Sequence, residues 1–430
     1  MSIKTSIWKF LLGICPVTVM AQTPVPVKPR ILISTDIGGT DPDDNQSITH
    51  FLMYSNLFNT EGLVSSPSYG TGNKRELLRM IDLYEKDLQK LSKHEKGYPS
   101  PASLRAVCKQ GRLGPAPYSG YRTSTEGSNW IIKCAKKKSA QPLWLLVWGG
   151  LDDLAQALHD APEIQKNIKV YWIGGPNKKW SAYSYAYIAQ NFPDLWFIET
   201  NSSYYGFFSE NVPDSLSNHS YYDRYIHQAG NLGKDFKNYY KGNVKMGDTP
   251  SLLYMMDGDP NNPSKESWGG SFEKLKHNPR VVFNRNTSLA DTVTVFSVVE
   301  LHFKGPVISV PSDSVCFTMA VKAKIGEQKW AGFYLGNGDY AIRYVPKQSE
   351  TITYKITSVI PGFEEHNGQF VVDNVWPGKP RITDFKPGKN WYTDRADPGL
   401  FDSNWQGSKT VLKWRSDILL DWAKRWSWLQ

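Results

Sequence analysis

Four aspartates fall within nine positions in "STDIGGTDPDDNQS": Asp36, Asp41, Asp43 and Asp44. Carboxylates this close repel one another unless a positive charge sits among them. An EF-hand is one reading. It fails because Gln46 stands where the sharp turn needs glycine and Leu52 where the bidentate glutamate belongs. Helix capping is a second: Asp43 or Asp44 could cap a helix beginning near Asn45, but that accounts for one carboxylate of the four. A third is a Ca²⁺ site, in which hard oxygen ligands come from this loop and from neighbouring strand ends.

The elements around the loop favour a ligand site. From Arg30 to about Thr200, short apolar runs alternate with helical periods. "RILIST", "EGLVSS", "LWLLVWGG", "KVYWIGG" and "LWFIET" read as strands. Ile48, Phe51 and Leu52 share one helical face, and Leu77, Ile81, Tyr84, Leu88 and Leu91 follow the helical period. This is the pattern of an open, mostly parallel α/β sheet covered on both faces. Each strand ends in glycine or polar residues: Asp36, then Gly149-Gly150-Leu151-Asp152, Gly174-Gly175-Pro176-Asn177, and Glu199 with Asn201. Ligands of open α/β sheets bind at the carboxyl ends of the strands. The acidic loop is therefore placed on the active edge.

After about Pro279 the texture becomes all-β. "DTVTVFSVVELHF", "VCFTMAVKAKI", "KWAGFYLG", "DYAIRYVP" and "ETITYKIT" alternate between turn residues, as in an immunoglobulin-like sandwich. A helical period returns only at the end, with Val411, Trp414, Ile418, Trp422 and Leu429 on one side. A lone helix so rich in tryptophan needs a partner surface. It is expected to pack back on the α/β domain, which makes the sandwich an insertion. The expected organisation is a signal peptide at 1–21, a linker at 22–29, the α/β domain at 30–283, the sandwich at 284–378, and a returning segment at 379–430.

The leader rests on Lys4 and Lys9, an apolar stretch from Phe10 to Met20, and the small-residue site Val19-Met20-Ala21. Cys15 follows the bulky Ile14, which argues against a lipoprotein signal. The chain is expected to be secreted or periplasmic, with no transmembrane segment. Three cysteines remain after cleavage, and Cys108 and Cys134 could pair in an oxidising compartment, leaving Cys316 free. No C-x-x-C spacing occurs. The net charge is +9, but the basic residues are scattered, so no nucleic-acid polymer is expected as a partner. The 430 residues include 16 Trp and 23 Tyr, a content suited to handling sugars.

Several segments together resemble the nucleoside hydrolases. That family opens with a strand running into D-x-D-P-G-x-D-D. "STDIGGTDPDDNQS" is similar with residues inserted, Ser34 standing for the first Asp, Asp36 for the second, and Asp43 and Asp44 for the closing pair. "GTGNKRELLRMI" resembles the segment that supplies a substrate-contacting asparagine, here Asn73. "WGGLDDLAQAL" resembles the segment whose backbone carbonyl binds the metal, at Asp152. "MGDTPSLLYMM" resembles the one giving the last metal carboxylate, Asp248. A closer resemblance is to secreted bacterial cellulose-binding, nucleoside-hydrolase-like proteins. They share "GDTPS", a W-G-G at Trp268 and a terminal W-R-x-D helix, with the last two elements lying nearer each other than here.

The resemblance implies a Ca²⁺-dependent glycosidic-bond hydrolase acting on a small sugar or glycan, and a homo-oligomer. Asp36, Asp44, Asp152 and Asp248 are the implied metal residues. Asp36 is also the implied general base, and Asp43 accepts from a sugar hydroxyl. Asn73, Asn177, Trp180 and Trp148 are the candidate substrate contacts. The chain departs from the family in three ways. Gly247 stands where several members carry a histidine acid. The family residues that hold the sugar's far end have no clear match. The wider spacing of Asp36 and Asp43 makes Asp41 a further candidate ligand. Glu199 is the candidate leaving-group acid. The rival reading is a carbohydrate-binding protein that keeps the cation site without turnover.

Overall fold

The computed structural model describes residues 27–68, 70, 72–209, 213–323 and 326–430. The leader, with Cys15, and the linker up to residue 26 lie outside them.

The α/β layer is built on a sheet of eight strands. In chain order these are β1 (Arg30–Thr35), β2 (Asn59–Ser65), β3 (Cys108–Gln110), β4 (Leu143–Val147), β5 (Ile168–Ile173), β6 (Trp196–Thr200) and β7 (Phe272–Lys274), with β16 (Trp391–Asp394) arriving from the end of the chain. Their spatial order is β3-β2-β1-β4-β5-β6-β16-β7. All neighbours are parallel except β16 and β7. β1 is buried at all six positions because helices cover both faces, which is why its sequence shows an apolar run and no alternation. The strand order reverses at β1 and β4, so the crevice beyond their carboxyl ends is the place for a ligand.

The helices are α1 (Asp43–Tyr54), α2 (Lys74–His94), α3 (Pro101–Ala106), α4 (Glu126–Ala135), α5 (Asp152–Asp160), α6 (Pro176–Trp180), α7 (Ala182–Asn191), α8 (Gly230–Phe236), α9 (Thr249–Asp257), α10 (Lys409–Leu412) and α11 (Arg415–Ser427). α11 buries Ile418, Trp422 and Trp426 in the same core as Phe51, Met53, Tyr221 and Phe236. Arg425 closes its far end by donating to the Met53 carbonyl at 2.6 Å and to Asn56 at 3.0 Å. No helix of the described residues is long and apolar enough to cross a membrane.

The remaining strands form a second sheet: β8 (Arg280–Phe283), β9 (Thr292–Thr294), β10 (Val298–Lys304), β11 (Ser314–Ala323), β12 (Gly326–Gly336), β13 (Asp339–Tyr344), β14 (Thr351–Thr357) and β15 (His366–Asp373). β14 alternates exposed and buried residues, as a strand with one wet face must. Leu301, Phe303, Phe317, Val321, Ile352, Tyr354 and Phe370 share the core of this β-sandwich.

Two features differ from the sequence reading. β8, placed there with the α/β domain, pairs in parallel with Val298–Leu301 and is the edge of the second sheet. β16, not anticipated at all, lies between β6 and β7. The whole second sheet is thus threaded between two neighbouring strands of the first. Cys108 and Cys134 are both free and buried. Cys134 instead points its thiol at the Glu61 carbonyl, 3.4 Å away.

Candidate functional site

The loop between β1 and α1 carries the acidic run to the crevice. Trp148 donates its backbone N–H to the Ser34 carbonyl at 2.7 Å, so the end of β4 lies against the start of the loop. Gly149 permits this approach: a Cβ there would sit 2.8 Å from the Asp36 Cβ and 3.0 Å from the Asp36 nitrogen. Asp43 and Asp44 open α1, and Asp248 precedes α9, yet neither helix has a side-chain cap. The capping explanation therefore fails, and these carboxylates turn away from their own backbones. Two helix N-termini place them in one spot, where the helix dipoles favour negative charge.

Asp43, Asp44 and Asp248 each offer an oxygen, and these atoms lie within 4.8 Å of one another. Asp44 and Asp248 are almost fully buried, at 2% and 3% exposure. Thr35 donates its hydroxyl to Asp44. Asp248 Oδ2 is buried without any hydrogen-bond partner. Asp36 completes the group beside Asp44 and Ser68. The four carboxyls line a cavity of about 130 Å³.

Burial pushes the Asp36 carboxyl up to about 6, against hydrogen bonding that lowers it. Burial, only partly offset by Lys245, pushes Asp43 up to about 7. Asp44 and Asp248 are held well above the carboxylate range by burial, and then by repulsion, chiefly from Asp36 on Asp44 and from Asp43 on Asp248. Lys245 pairs with Asp41 at the rim and lies 3.6 Å from Asp43. One ammonium facing this many carboxylates leaves the group short of positive charge. Convergent hard oxygens with an unpartnered buried atom fit a divalent cation.

The opposite wall is aromatic. Tyr204, Tyr205 and Phe208 line the cavity from the turn after β6, with Trp148 and Asn177. The returning segment fixes that turn. Asp394 on β16 accepts backbone N–H bonds from Asn201 at 2.8 Å, Ser202 at 2.7 Å and Ser203 at 3.2 Å. Tyr205 stacks on Trp405 with ring centroids 3.4 Å apart. Asn177 lines the pocket with its polar atoms engaged: Ser68 donates to its Oδ1, and its Nδ2 donates to the Trp148 and Ile173 carbonyls.

Of the candidates read from sequence, Asp36, Asp41, Asp43, Asp44, Asp248, Trp148 and Asn177 come together in this pocket. Four do not. Asn73 is exposed and caps α2, accepting from the Arg75 N–H at 3.1 Å. Asp152, expected to offer its backbone carbonyl, does not line the pocket, and its carboxylate accepts from the Ala116 N–H at 2.7 Å and from the Ser181 hydroxyl. Trp180 stacks on Trp330 of the sandwich, centroids 4.6 Å apart. Glu199 is fully buried and pairs with Lys178 at 2.7 Å, with Tyr185 donating to its other oxygen. Removing one partner of such a buried pair costs about 3–5 kcal/mol, so this contact holds the fold, and Glu199 does not line the acidic pocket. Sequence reasoning missed Tyr204, Tyr205, Phe208 and Lys245. The available signals were the run "NSSYYGFF" directly after β6, and the short spacing from Lys245 to Asp248.

Comparison with known proteins agrees with this architecture. A family model described as "Cellulose-binding Sde182, nucleoside hydrolase-like domain" matches residues 30–272, and a domain of unknown function, DUF5060, matches residues 292–359. A solved nucleoside hydrolase-related hypothetical protein from Saccharophagus degradans, associated with carbohydrate metabolism, is 21% identical; the match covers 81% of this chain and 100% of that one, with a TM-score of 0.50. The inosine-uridine preferring nucleoside hydrolase from Bacillus anthracis is 14% identical over 59% of this chain and 87% of its own, with a TM-score of 0.36. The purine-preferring ribonucleoside hydrolase from Gardnerella vaginalis is 13% identical over 58% of this chain and 84% of its own, also with a TM-score of 0.36. No curated protein matches the chain. Because the first family model spans more than half of the 430 residues, the chain belongs to the Sde182 cellulose-binding, nucleoside hydrolase-like family.

Proposed function

We propose that the acidic pocket is a divalent-cation site, with Ca²⁺ as the cation, at which a glycosidic bond of a ribosyl, furanosyl or plant-glycan-derived substrate is hydrolysed outside the cytoplasm. The observation that carries this is the unpartnered Asp248 Oδ2, buried within 4.8 Å of oxygens from Asp43 and Asp44. Asp43, Asp44 and Asp248 are the residues to hold the ion, with Asp36 adjoining. Bound there, Ca²⁺ supplies the charge that lets the carboxylates ionise together and that orders hydroxyl groups and water.

The rest falls to the chain's own groups. Asp36 takes a proton from the attacking water. Asp43, partly exposed at the rim, accepts from a sugar hydroxyl. The carboxylate field stabilises an oxocarbenium-like transition state. Trp148, Tyr204, Tyr205 and Phe208 exclude bulk water and pack against the ring and leaving group. With the carboxylates ionised around the cation, Lys245 and the two tyrosines are the lining groups that keep a proton.

A second reading, carbohydrate binding without turnover, is favoured by one observation. Among the described residues lining the pocket, none is a histidine. Aryl ribosides, furanosides and plant-glycan fragments separate the two readings. A hydrolase turns one of them over and loses that turnover in Asp36→Ala. A binder shows no turnover and keeps its polysaccharide affinity in the same variant.

A further inference from the structure

A second cavity, of about 450 Å³, lies where the sandwich meets the α/β layer. Its floor is the stacked pair Trp180 and Trp330, with rings inclined by 21°. Ser68 lines this cavity and donates to Asn177 of the acidic pocket at 2.7 Å, so one residue separates the two spaces. Asn177 and Trp180 are also three residues apart on α6, a rise of about 4.5 Å.

The charges here have the opposite sign to those of the acidic pocket. The ionisable side chains lining the cavity, apart from the phenol of Tyr183, are Lys179, Lys329 and Arg343, and no carboxylate joins them. Arg343 is committed to Glu300 at 2.7 Å. Lys179 is buried and donates to Gln328 at 2.6 Å, with Glu350, outside the cavity lining, the carboxylate that acts on its charge. Its ammonium lies 5.5 Å from the Trp180 ring centre and 5.4 Å from that of Trp330. Trp330 Nε1 is a buried donor with no acceptor. A ligand that satisfies all of this has an apolar face for the indoles, a hydroxyl or ring oxygen for Nε1, and an anionic group for the lysines.

We propose that this groove binds a uronic-acid residue of an acidic glycan, its ring against the Trp180–Trp330 pair and its carboxylate toward Lys179 and Lys329. The assignment stands apart from turnover at the acidic pocket. The inserted sandwich, which contributes Trp330 and Lys329, is then part of a recognition site as well as a structural module.

The test is calorimetric titration of the full mature chain with oligogalacturonate, a cello-oligosaccharide of equal length, and inorganic tripolyphosphate. Oligogalacturonate binding is expected, weakening with added salt, with affinity falling about tenfold or more in Trp330→Ala and severalfold in Lys329→Gln. Lys329 is exposed, so a Lys329→Gln protein melting with the parent reports the groove and not misfolding. Asp44→Ala is expected to keep this binding, so failure of the hydrolase reading leaves it in place. Equal or tighter binding of the neutral oligosaccharide overturns the uronic-acid assignment. Tripolyphosphate binding that matches oligogalacturonate and is indifferent to Trp330→Ala reduces the groove to bulk charge and overturns it too. Absence of binding by all three overturns the site.

Discussion

At the scale of single residues, the acidic pocket stores repulsion that a cation would relieve. Without metal, Asp44 and Asp248 are buried carboxyls facing two more of their kind. Asp248→Asn is therefore expected to raise thermal stability in chelator by about 1 kcal/mol, while abolishing stabilisation by Ca²⁺. In the parent, Ca²⁺ at a hundredfold over its dissociation constant should add about 2.7 kcal/mol, read as a melting shift. A parent melting curve indifferent to Ca²⁺ would remove the metal site. His50 gives a separate pH signature. Burial, reinforced by Arg425, lowers its imidazole to about 3. The unfolded imidazole titrates near its ordinary value of about 6.5, so between these values the unfolded state binds the extra proton. Its contribution to stability is complete above about pH 6.5 and declines on acidification, by about 2 kcal/mol at pH 5. His50→Phe should flatten that limb of the stability profile relative to the parent, and an unchanged slope would contradict the assignment. Asp36, Asp41, Asp43 and Asp44 were legible as a group because adjacency in the chain guarantees adjacency in space. Trp180 was not, since an indole stacks as readily on a neighbouring domain as on a sugar.

At the scale of elements, the aromatic wall depends on a strand of four residues. Asp394→Ala on β16 removes the acceptor of three backbone N–H groups in the turn that presents Tyr204 and Tyr205. Leaving buried donors unmade costs about 1–3 kcal/mol each at the upper end, so a loss of about 3 kcal/mol in denaturant unfolding is expected. The apolar face of α11 behaves differently: Trp422→Ala empties a fully buried position and should cost about 3–5 kcal/mol without touching the pocket. The parallel strands were readable because burial on both faces writes an unbroken apolar run. β16 was not: "WYTD" is too short to show a period, and its partners β6 and β7 are remote in sequence.

At the scale of the whole molecule, the two sheets are joined by more than their connections. Arg343 of β13 reaches across to the Tyr118 carbonyl at 2.7 Å while holding Glu300 of β10. Burial alone would raise the Glu300 carboxyl, but His302, Arg343 and Arg280 outweigh it and hold it well below the usual range. A single apolar core also runs from Leu145 and Phe197 of the first sheet to Leu301 and Phe370 of the second. Calorimetry is accordingly expected to show one cooperative transition, and two separable transitions would contradict this coupling. The existence and class of both sheets were legible from periodicity. The seam between them was not, because β8 carries the same pattern whichever sheet it joins.

The position of β16 has a consequence for synthesis. Asp394 follows the entire second sheet in the chain, yet it ties down a wall of the pocket whose first carboxylate is Asp36. The whole second sheet must therefore be made before that wall can set. Until then β6 presents a bare hydrogen-bonding edge, with the sandwich already emerging ahead of its missing neighbour. A chain cut before β16 lacks the acceptor that fixes this wall, so the pocket is finished only after the whole inserted sheet has been made.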